Sequence, residues 1–202
     1  ALRATVEGGA HYVGFVFYPP SPRSLTPEEA APLAQAASGA VVRVGLFVDA
    51  DDETLEQTIR RVPIDLLQLH GRETPERVGA IRRRFGLPVM KAIPVAALAD
   101  LDAAAPYIEV ADRLLFDAKP PKDMKNALPG GNAVSFDWTL LSGRTWPVPW
   151  MLSGGLDPQN VAEAVRIAGA TAVDVSSGVE ERPGRKDPQR IGLFLKSVRA
   201  LG

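Results

Sequence analysis

Residues 150–178 read WMLSGGLDPQNVAEAVRIAGATAVDVSSG and contain a strand, a glycine turn, a helix and a second strand. The runs Trp150–Ser153 and Ala172–Val175 are short and largely apolar, which is typical of strands buried on both faces of a parallel sheet. Between them, DPQNVAEAVRIA is amphipathic and carries Pro158 in its first turn, as helix N-termini commonly do. The stretch therefore predicts one β–α–β unit of a parallel sheet.

The same alternation of short apolar runs and amphipathic stretches extends to the N-terminus. It begins with a helical stretch over residues 1–7, which Gly8 and Gly9 close. Successive units start about every 22 to 24 residues, apart from two longer connections. The other predicted strands are Tyr12–Phe17, Arg43–Val48, Leu66–Leu69, Val89–Ile93 and Arg113–Phe116. The other predicted helices are TPEEAAPLAQAA (26–37), DDETLEQTIRRV (51–62), TPERVGAIRRRF (74–85) and DPQRIGLFLKSVRAL (187–201).

The number of units favours one fold class. The chain is predicted to be a helix followed by seven strand–helix pairs, whereas a closed (β/α)8 barrel has eight strands, each followed by a helix. We therefore predict a single α/β domain over residues 1–202, a (β/α)8 TIM barrel that lacks its first strand and the start of its first helix. A doubly wound open sheet is the alternative, but the sequence contains no G-x-G-x-x-G nucleotide-binding fingerprint.

Composition excludes several classes of function. With 202 residues, 46% of them hydrophobic, the chain can bury one large core. A net charge of −1 argues against nucleic-acid or anionic-membrane partners, which require a concentrated basic surface. No apolar run approaches the roughly 20 residues that span a bilayer, so we expect a cytoplasmic protein. The absence of cysteine excludes disulfides, thiolate metal sites and thiol chemistry within these residues.

Two neighbouring loops near the C-terminus predict a phosphate site. Gly154 and Gly155 follow one buried strand, and Ser176, Ser177 and Gly178 follow the next, each loop being predicted to lead into a helix. Small residues allow backbone N–H groups to approach an anion, and helix N-termini favour negative charge. One Gly-Gly pair is weak evidence because strand-to-helix turns need glycine anyway, but two adjacent loops of this kind favour phosphate binding.

Four charged or titratable side chains are predicted at strand ends or in the rim loops. Asp117 ends the run RLLFD and is a turn cap or a catalytic acid, while Asp174 either holds substrate hydroxyls or satisfies backbone N–H groups. Arg23 lies in a proline-stiffened loop, which suits an arginine that binds a carboxylate, although a solvated loop arginine is the simpler interpretation. His70 follows the strand LLQL and is expected to be hydrogen-bonded and to bind substrate rather than to transfer protons. The chain has only two histidines, too few for a metal cluster or a Ser-His-Asp relay.

Eight segments carry a family resemblance. In chain order they read GFVFYPPSPR, VGLFV, LLQLHG, KAI, LLFDA, GGNAVSFDW, LSGGLDPQNVAEA and VDVSSGVEERPGRKD. Together they resemble phosphoribosylanthranilate isomerases, the (β/α)8 enzymes of tryptophan biosynthesis, over essentially the whole chain.

The resemblance implies a reaction and roles for the rim residues. It implies an Amadori rearrangement of N-(5-phosphoribosyl)anthranilate to 1-(o-carboxyphenylamino)-1-deoxyribulose 5-phosphate without cofactor or metal. Asp117 would be the general acid that protonates the ribose ring oxygen, with Arg23 binding the anthranilate carboxylate and Asp174 the ribose hydroxyls. The loops around Gly154 and Gly178 would bind the phosphate.

The sequence departs from the family pattern in two respects. The family's general base is a cysteine at the end of the first strand, which we expect about a dozen residues before Ala1, so that residues 1–202 alone are expected to be inactive. A chain with seven strands would also leave a sheet edge open and be prone to aggregate. In addition, Ala133 stands where the family usually has glycine; if its φ is positive, alanine costs roughly 1 kcal/mol and alters the loop's mobility.

Other functions and assemblies stay open at this stage. The alternatives are another phosphosugar-barrel isomerase or epimerase and a non-catalytic phosphate-ligand binder, although the histidine-poor rim disfavours metal-dependent epimerases. The resemblance allows a monomer or a homodimer, and fusion to another pathway enzyme is equally open.

Overall fold

The computed structural model of the chain describes residues 1–121, 123–125 and 127–201. Six strands form one sheet in which every neighbouring pair is parallel and the spatial order follows the chain order. These strands are β1 (Tyr12–Phe17), β2 (Val42–Phe47), β3 (Leu66–Leu69), β4 (Val89–Val95), β5 (Arg113–Ala118) and β6 (Trp150–Leu152). The helices are α1 (Leu2–Glu7), α2 (Pro27–Ala36), α3 (Asp52–Arg61), α4 (Pro75–Phe85), α5 (Val161–Ala168) and α6 (Pro188–Arg199). Two short antiparallel strands, β7 (Glu180–Arg182) and β8 (Arg185–Lys186), form a separate hairpin.

Local sequence signals explain where these helices begin and end. Thr26 caps α2 by accepting a hydrogen bond from the backbone N–H of Glu29, whose side chain accepts one in return from the N–H of Thr26. Thr74 caps α4 in a similar way, followed by Pro75, and Gly86 ends that helix with a left-handed φ of 63°. The predicted α/β alternation is therefore confirmed at the level of individual caps.

The two faces of the sheet bury different side chains. Alternate residues of the strands, among them Phe47 and Phe116, are fully buried in the apolar layers that also include residues of the helices. Residues of the opposite parity, such as Val44 and Leu115, form a separate buried cluster on the other face. A parallel sheet with one face toward the helices and the other toward an interior is the arrangement of a (β/α)8 barrel, so the predicted fold class is confirmed.

The predicted strand Ala172–Val175 is wrong as a regular element. This segment makes a single parallel bridge, Val173 to Leu152, in which the N–H of Asp174 donates to the Leu152 carbonyl at 2.8 Å. The pairing is short because β6 ends at Leu152, and Gly154, with a φ of 88°, leaves the extended region soon afterwards. The segment lies next to β6 in the sheet, but only one of its residues, Val173, is paired with that strand.

The prediction of a helix after every strand is also wrong in places. The segments Leu98–Tyr107 and Trp138–Leu141 are 3-10 helices rather than α-helices. The first contains Pro106, which cannot donate a backbone hydrogen bond and does not favour a regular α-helix. Ser177–Val179 is likewise a single 3-10 turn, so the last glycine-bearing loop leads into the hairpin before α6 begins.

One edge of the sheet is open among the residues that the structure describes. β1 is the terminal strand, and within these ranges no strand pairs with the edge opposite β2. At that edge the Val16 carbonyl accepts a hydrogen bond from the N–H of Leu25 at 2.8 Å. No helix in the described part of the chain is long and apolar enough to cross a membrane.

Candidate active site

The carboxyl ends of the parallel strands surround a cavity of about 70 Å³. Its walls include five side chains that the sequence predicts as functional, and these five are Arg23, His70, Asp117, Asp174 and Ser176. A second cavity of about 410 Å³ adjoins it and shares Tyr18, Val48, His70, Leu128 and Pro129. The side chains predicted from separate strand ends and loops therefore meet in one place, as parallel-strand topology requires.

A buried histidine–aspartate pair lies at the centre of the cavity wall. His70 Nε2 is 3.0 Å from Asp117 Oδ2, and Asp117 is only 4% exposed. The Gln68 side-chain amide nitrogen lies 2.9 Å from His70 Nδ1. Because an amide nitrogen donates and does not accept, Nδ1 accepts this bond, which leaves the Nε2 hydrogen to be donated to Asp117.

Gln68 is a site residue that the sequence analysis missed. It lies in β3, where all four residues are buried and the other three are leucines. A lone amide in a fully buried strand needs a hydrogen-bond partner, and this signal could have identified it. The expected hydrogen-bonded environment of His70 is present, with one partner on each ring nitrogen.

A buried lysine holds the turn that carries His70. Lys91 Nζ donates to the carbonyls of Leu69 at 3.2 Å and Gly71 at 2.8 Å and pairs with Glu73 at 3.1 Å. Burial lowers the pKa of Lys91, and the neighbouring Glu73 carboxylate offsets part of this effect. The turn over residues 69–73 is thus fixed from the helix-facing side of the sheet, the side on which the neighbouring β4 residues Val89 and Ile93 also lie.

A second carboxyl group faces the same cavity. Asp174 Oδ2 accepts a hydrogen bond from Ser153 Oγ at 3.0 Å. Burial raises the pKa of Asp174, and the negative charge of Asp117 raises it further. The cavity therefore contains one carboxyl group, that of Asp174, whose surroundings favour its protonated form.

Arg23 has an internal partner that was not predicted. Its Nε and Nη2 bind Glu180 Oε1 and Oε2 at 2.7 and 2.8 Å, and Nη2 also donates to the Gly131 carbonyl at 3.1 Å. Lys186 Nζ lies 2.9 Å from Glu180 Oε1. The interpretation of Arg23 as a solvated loop arginine is therefore wrong: its side chain is 11% exposed and is held by a buried carboxylate.

The predicted phosphate loops pack closely together. Gly154 and Gly155 have φ values of 88° and 64°, and a Cβ added at Gly178 would lie 1.9 Å from the Leu156 carbonyl oxygen. Ser176 lines the cavity, whereas Gly154, Gly155, Ser177 and Gly178 are not among its lining residues. The backbone of both loops thus requires glycine, while only one of the five predicted residues faces the cavity.

Within the described ranges, no group of three or more histidine, aspartate and glutamate side chains is arranged to hold a metal ion. The side chains that line the cavity instead offer hydrogen-bond donors and acceptors together with two carboxyl groups. A curled parallel sheet with such groups at its carboxyl edge defines the class of α/β-barrel enzymes.

Comparison with known proteins identifies the family. The sequence profile described as "PRAI: N-(5'phosphoribosyl)anthranilate (PRA) isomerase" matches residues 1–197. The chain belongs to this family of isomerases, which confirms the resemblance seen in the sequence.

Individual relatives agree with this assignment over most of their length. The N-(5'-phosphoribosyl)anthranilate isomerase of Paramagnetospirillum magneticum is 64% identical over 199 residues, which cover 98% of this chain and 92% of that protein. The crystal structure of the phosphoribosyl anthranilate isomerase of Thermotoga maritima superposes with a TM-score of 0.85 at 37% identity, covering 98% of this chain and 93% of that one. A phosphoribosyl anthranilate isomerase in complex with reduced 1-(o-carboxyphenylamino)-1-deoxyribulose 5-phosphate gives a TM-score of 0.82 at 36% identity, with 98% and 92% covered.

Proposed function

We propose that the protein catalyses the Amadori rearrangement of N-(5-phosphoribosyl)anthranilate to 1-(o-carboxyphenylamino)-1-deoxyribulose 5-phosphate in tryptophan biosynthesis. The observation that carries this proposal is the buried His70–Asp117 pair, 3.0 Å apart, in a cavity that Arg23 and Asp174 also line. The solved relative in complex with the reduced product supports the same class of ligand.

The first chemical step needs a proton donor, and Asp117 has this role. Protonation of the ribose ring oxygen breaks its bond to C1, and the nitrogen lone pair forms a Schiff base. His70 keeps the Asp117 carboxyl group oriented through its Nε2 contact. Removal of the C2 proton then gives an enolamine, which tautomerises to the ketone.

The second step needs a base, which the family resemblance places on a cysteine. Residues 1–202 contain no cysteine, so this base is not among them. We infer that a polypeptide limited to these 202 residues binds substrate without converting it. Turnover requires a polypeptide that also supplies this base.

The remaining site residues bind the substrate. Arg23 binds the anthranilate carboxylate, Asp174 the ribose hydroxyls, and the loops around Gly154 and Gly178 the phosphate, with Ser176 at the cavity wall. The adjoining cavity of about 410 Å³ gives the larger volume that a phosphoribosylated ring occupies. We further propose one domain over residues 1–202, a cytoplasmic location, no cofactor and a monomeric or homodimeric assembly.

The replacement Asp117→Asn in the full-length chain tests the general-acid role. We expect kcat to fall by a factor of about 10² to 10⁴ because the amide cannot donate the required proton, while substrate affinity changes little. Asp102→Asn is the control, since Asp102 is exposed and is not among the residues that line either cavity. Near-normal turnover of Asp117→Asn would reject the assignment.

A further inference from the structure

A cluster of three charges lies beside the cavity, and two of its members, Glu180 and Lys186, have no role in the chemistry described above. Glu180 is at its centre, with a side chain that is 3% exposed, and it pairs with both Arg23 and Lys186. Arg23 and Glu180 are separated by 157 residues in sequence, so their contact depends on the tertiary fold rather than on local backbone geometry.

The charge of the cluster is unbalanced. Burial by itself would raise the pKa of Glu180, but the hydrogen bonds from Arg23 and Lys186 outweigh burial and lower it, so Glu180 is a carboxylate at neutral pH. One carboxylate between two cations leaves a net charge of +1. The cluster can therefore accept one more anionic group.

The geometry of the Arg23–Glu180 pair indicates which Arg23 nitrogen an anionic ligand group would contact. Glu180 binds the guanidinium from the side, through Nε and Nη2, and the second Nη2 hydrogen is directed to the Gly131 carbonyl. Among the described residues, Arg23 Nη1 has no hydrogen-bond partner, although Arg23 lines the cavity. The side-on pairing thus leaves one nitrogen of a rigid, planar group for a ligand.

Lys186 extends the cluster to the predicted phosphate loop. Its Nζ donates to the Ser176 carbonyl at 2.8 Å and to Ser176 Oγ at 3.2 Å, in addition to its contact with Glu180. All three ammonium hydrogens are therefore engaged, so Lys186 connects Glu180 to the loop without being a free anion site itself.

We propose that Glu180 is a positioning residue that sets specificity for a carboxylated substrate. It holds Arg23 side-on so that Nη1 meets the ligand's carboxylate, and through Lys186 it fixes the distance between that contact and the phosphate loop. This inference rests on the proposed function, because it requires a ligand with a carboxylate at one end and a phosphate at the other.

The test compares two substrates in the full-length enzyme, N-(5-phosphoribosyl)anthranilate and the carboxylate-free N-(5-phosphoribosyl)aniline. In Glu180→Gln we expect KM for the carboxylated substrate to rise about tenfold, with kcat nearly unchanged, because a loosened Arg23 loses a charge-assisted contact. KM for the carboxylate-free substrate should change less than about twofold. Glu181→Gln is the matched control, since Glu181 is an exposed neighbour that pairs with Arg185.

Two further variants keep the inference testable if Glu180→Gln folds poorly. Arg23→Lys leaves Glu180 intact but removes the planar fork, so it should reproduce the selective rise in KM. In an Arg23→Met background, adding Glu180→Gln should change KM no further. Equal changes for both substrates, or additive effects in the double variant, would overturn the inference. Failure of the wild-type enzyme to convert either substrate would instead overturn the proposed function.

Discussion

Ala133 has a φ of 56°, in the left-handed region that glycine adopts most easily. We expect alanine to be costly at this position only if its φ is positive, and the structure confirms that condition. The Cβ of alanine is strained there, and Ala133 is exposed.

We therefore expect Ala133→Gly to increase the free energy of unfolding by about 1 kcal/mol. The measurement is urea denaturation followed by circular dichroism. Ala103→Gly, at an exposed position of the 3-10 helix Leu98–Tyr107, is the control and should instead decrease stability, because there the alanine conformation is favourable. An Ala133→Gly protein less stable than wild type would contradict the strain argument.

Asp174 determines a pH dependence of stability. Its pKa is raised by burial and by the charge of Asp117, so the folded state keeps its proton to higher pH than the unfolded chain does. Stability is therefore fully retained below the unfolded pKa of about 3.9 and decreases as pH rises through the raised value. Asp174→Asn should remove this decrease.

Denaturation of wild type and variants between about pH 2 and pH 7.5 covers both the range in which Asp174 loses its proton and the lower range in which Asp65 gains one. Asp65→Asn is a control of opposite sign, because hydrogen bonds from Arg43 lower the pKa of Asp65 and its contribution is present above the unfolded pKa and lost as pH falls through the lowered value. If the difference between Asp174→Asn and wild type is independent of pH, the attribution to Asp174 is wrong.

At the scale of the elements, the contact between the two glycine-bearing loops is the most restrictive feature. A Cβ at Gly178 would overlap the Leu156 carbonyl oxygen, whereas a Cβ at Gly192 in α6 would meet nothing within 4 Å. Gly178→Ala must therefore displace one loop from the other, while Gly192→Ala only improves the propensity of a helix.

We expect Gly178→Ala to cost about 1 to 3 kcal/mol in unfolding free energy and to raise the dissociation constant of inorganic phosphate. Gly192→Ala should add about 0.5 to 1 kcal/mol and leave phosphate binding unchanged. Calorimetric titration with phosphate and urea denaturation check both. Unaltered phosphate affinity in Gly178→Ala would separate this loop from the phosphate site.

Most strands and helix starts could be predicted from local signals in the sequence. Uniformly apolar runs identified six strands because both faces of a parallel sheet are buried, and caps such as Thr26 and Thr74 marked helix starts. The strand at Ala172–Val175 failed because pairing depends on the length of its neighbour β6, which is a tertiary property. The 3-10 helices were predicted as α-helices because proline and small residues change the sequence pattern of a short helix only slightly.

In the candidate site, too, some residues could be predicted from the sequence and others depend on tertiary contacts. Positions at strand ends and in the loops that follow them predicted Arg23, His70, Asp117 and Asp174 as site residues. Parallel-strand topology alone places such residues at the same end of the barrel. Their partners Gln68 and Glu180 did not stand out, because a partner is defined by an approach in space between distant parts of the chain.

At the scale of the whole molecule, the open edge of β1 determines the behaviour of the isolated polypeptide. Within residues 1–121, 123–125 and 127–201, this edge has backbone groups without a strand partner beyond the contact of Val16 with Leu25. A polypeptide of residues 1–202 alone should therefore associate in a concentration-dependent manner, as analytical ultracentrifugation can measure. The same residues joined to a strand that pairs with β1 are the comparison, and equal sedimentation and stability of the two would contradict this expectation.

The pairing of Arg23 with Glu180 across 157 residues also has a consequence for biosynthesis. During translation, the early strands emerge and begin to fold long before Glu180 and Lys186 leave the ribosome. Until then, the guanidinium lacks the carboxylate that orients it, and loop closure between such distant positions is slow. On the role proposed for Glu180, the carboxylate-binding site is complete only once the C-terminal hairpin has docked, so a prematurely terminated chain would lack it.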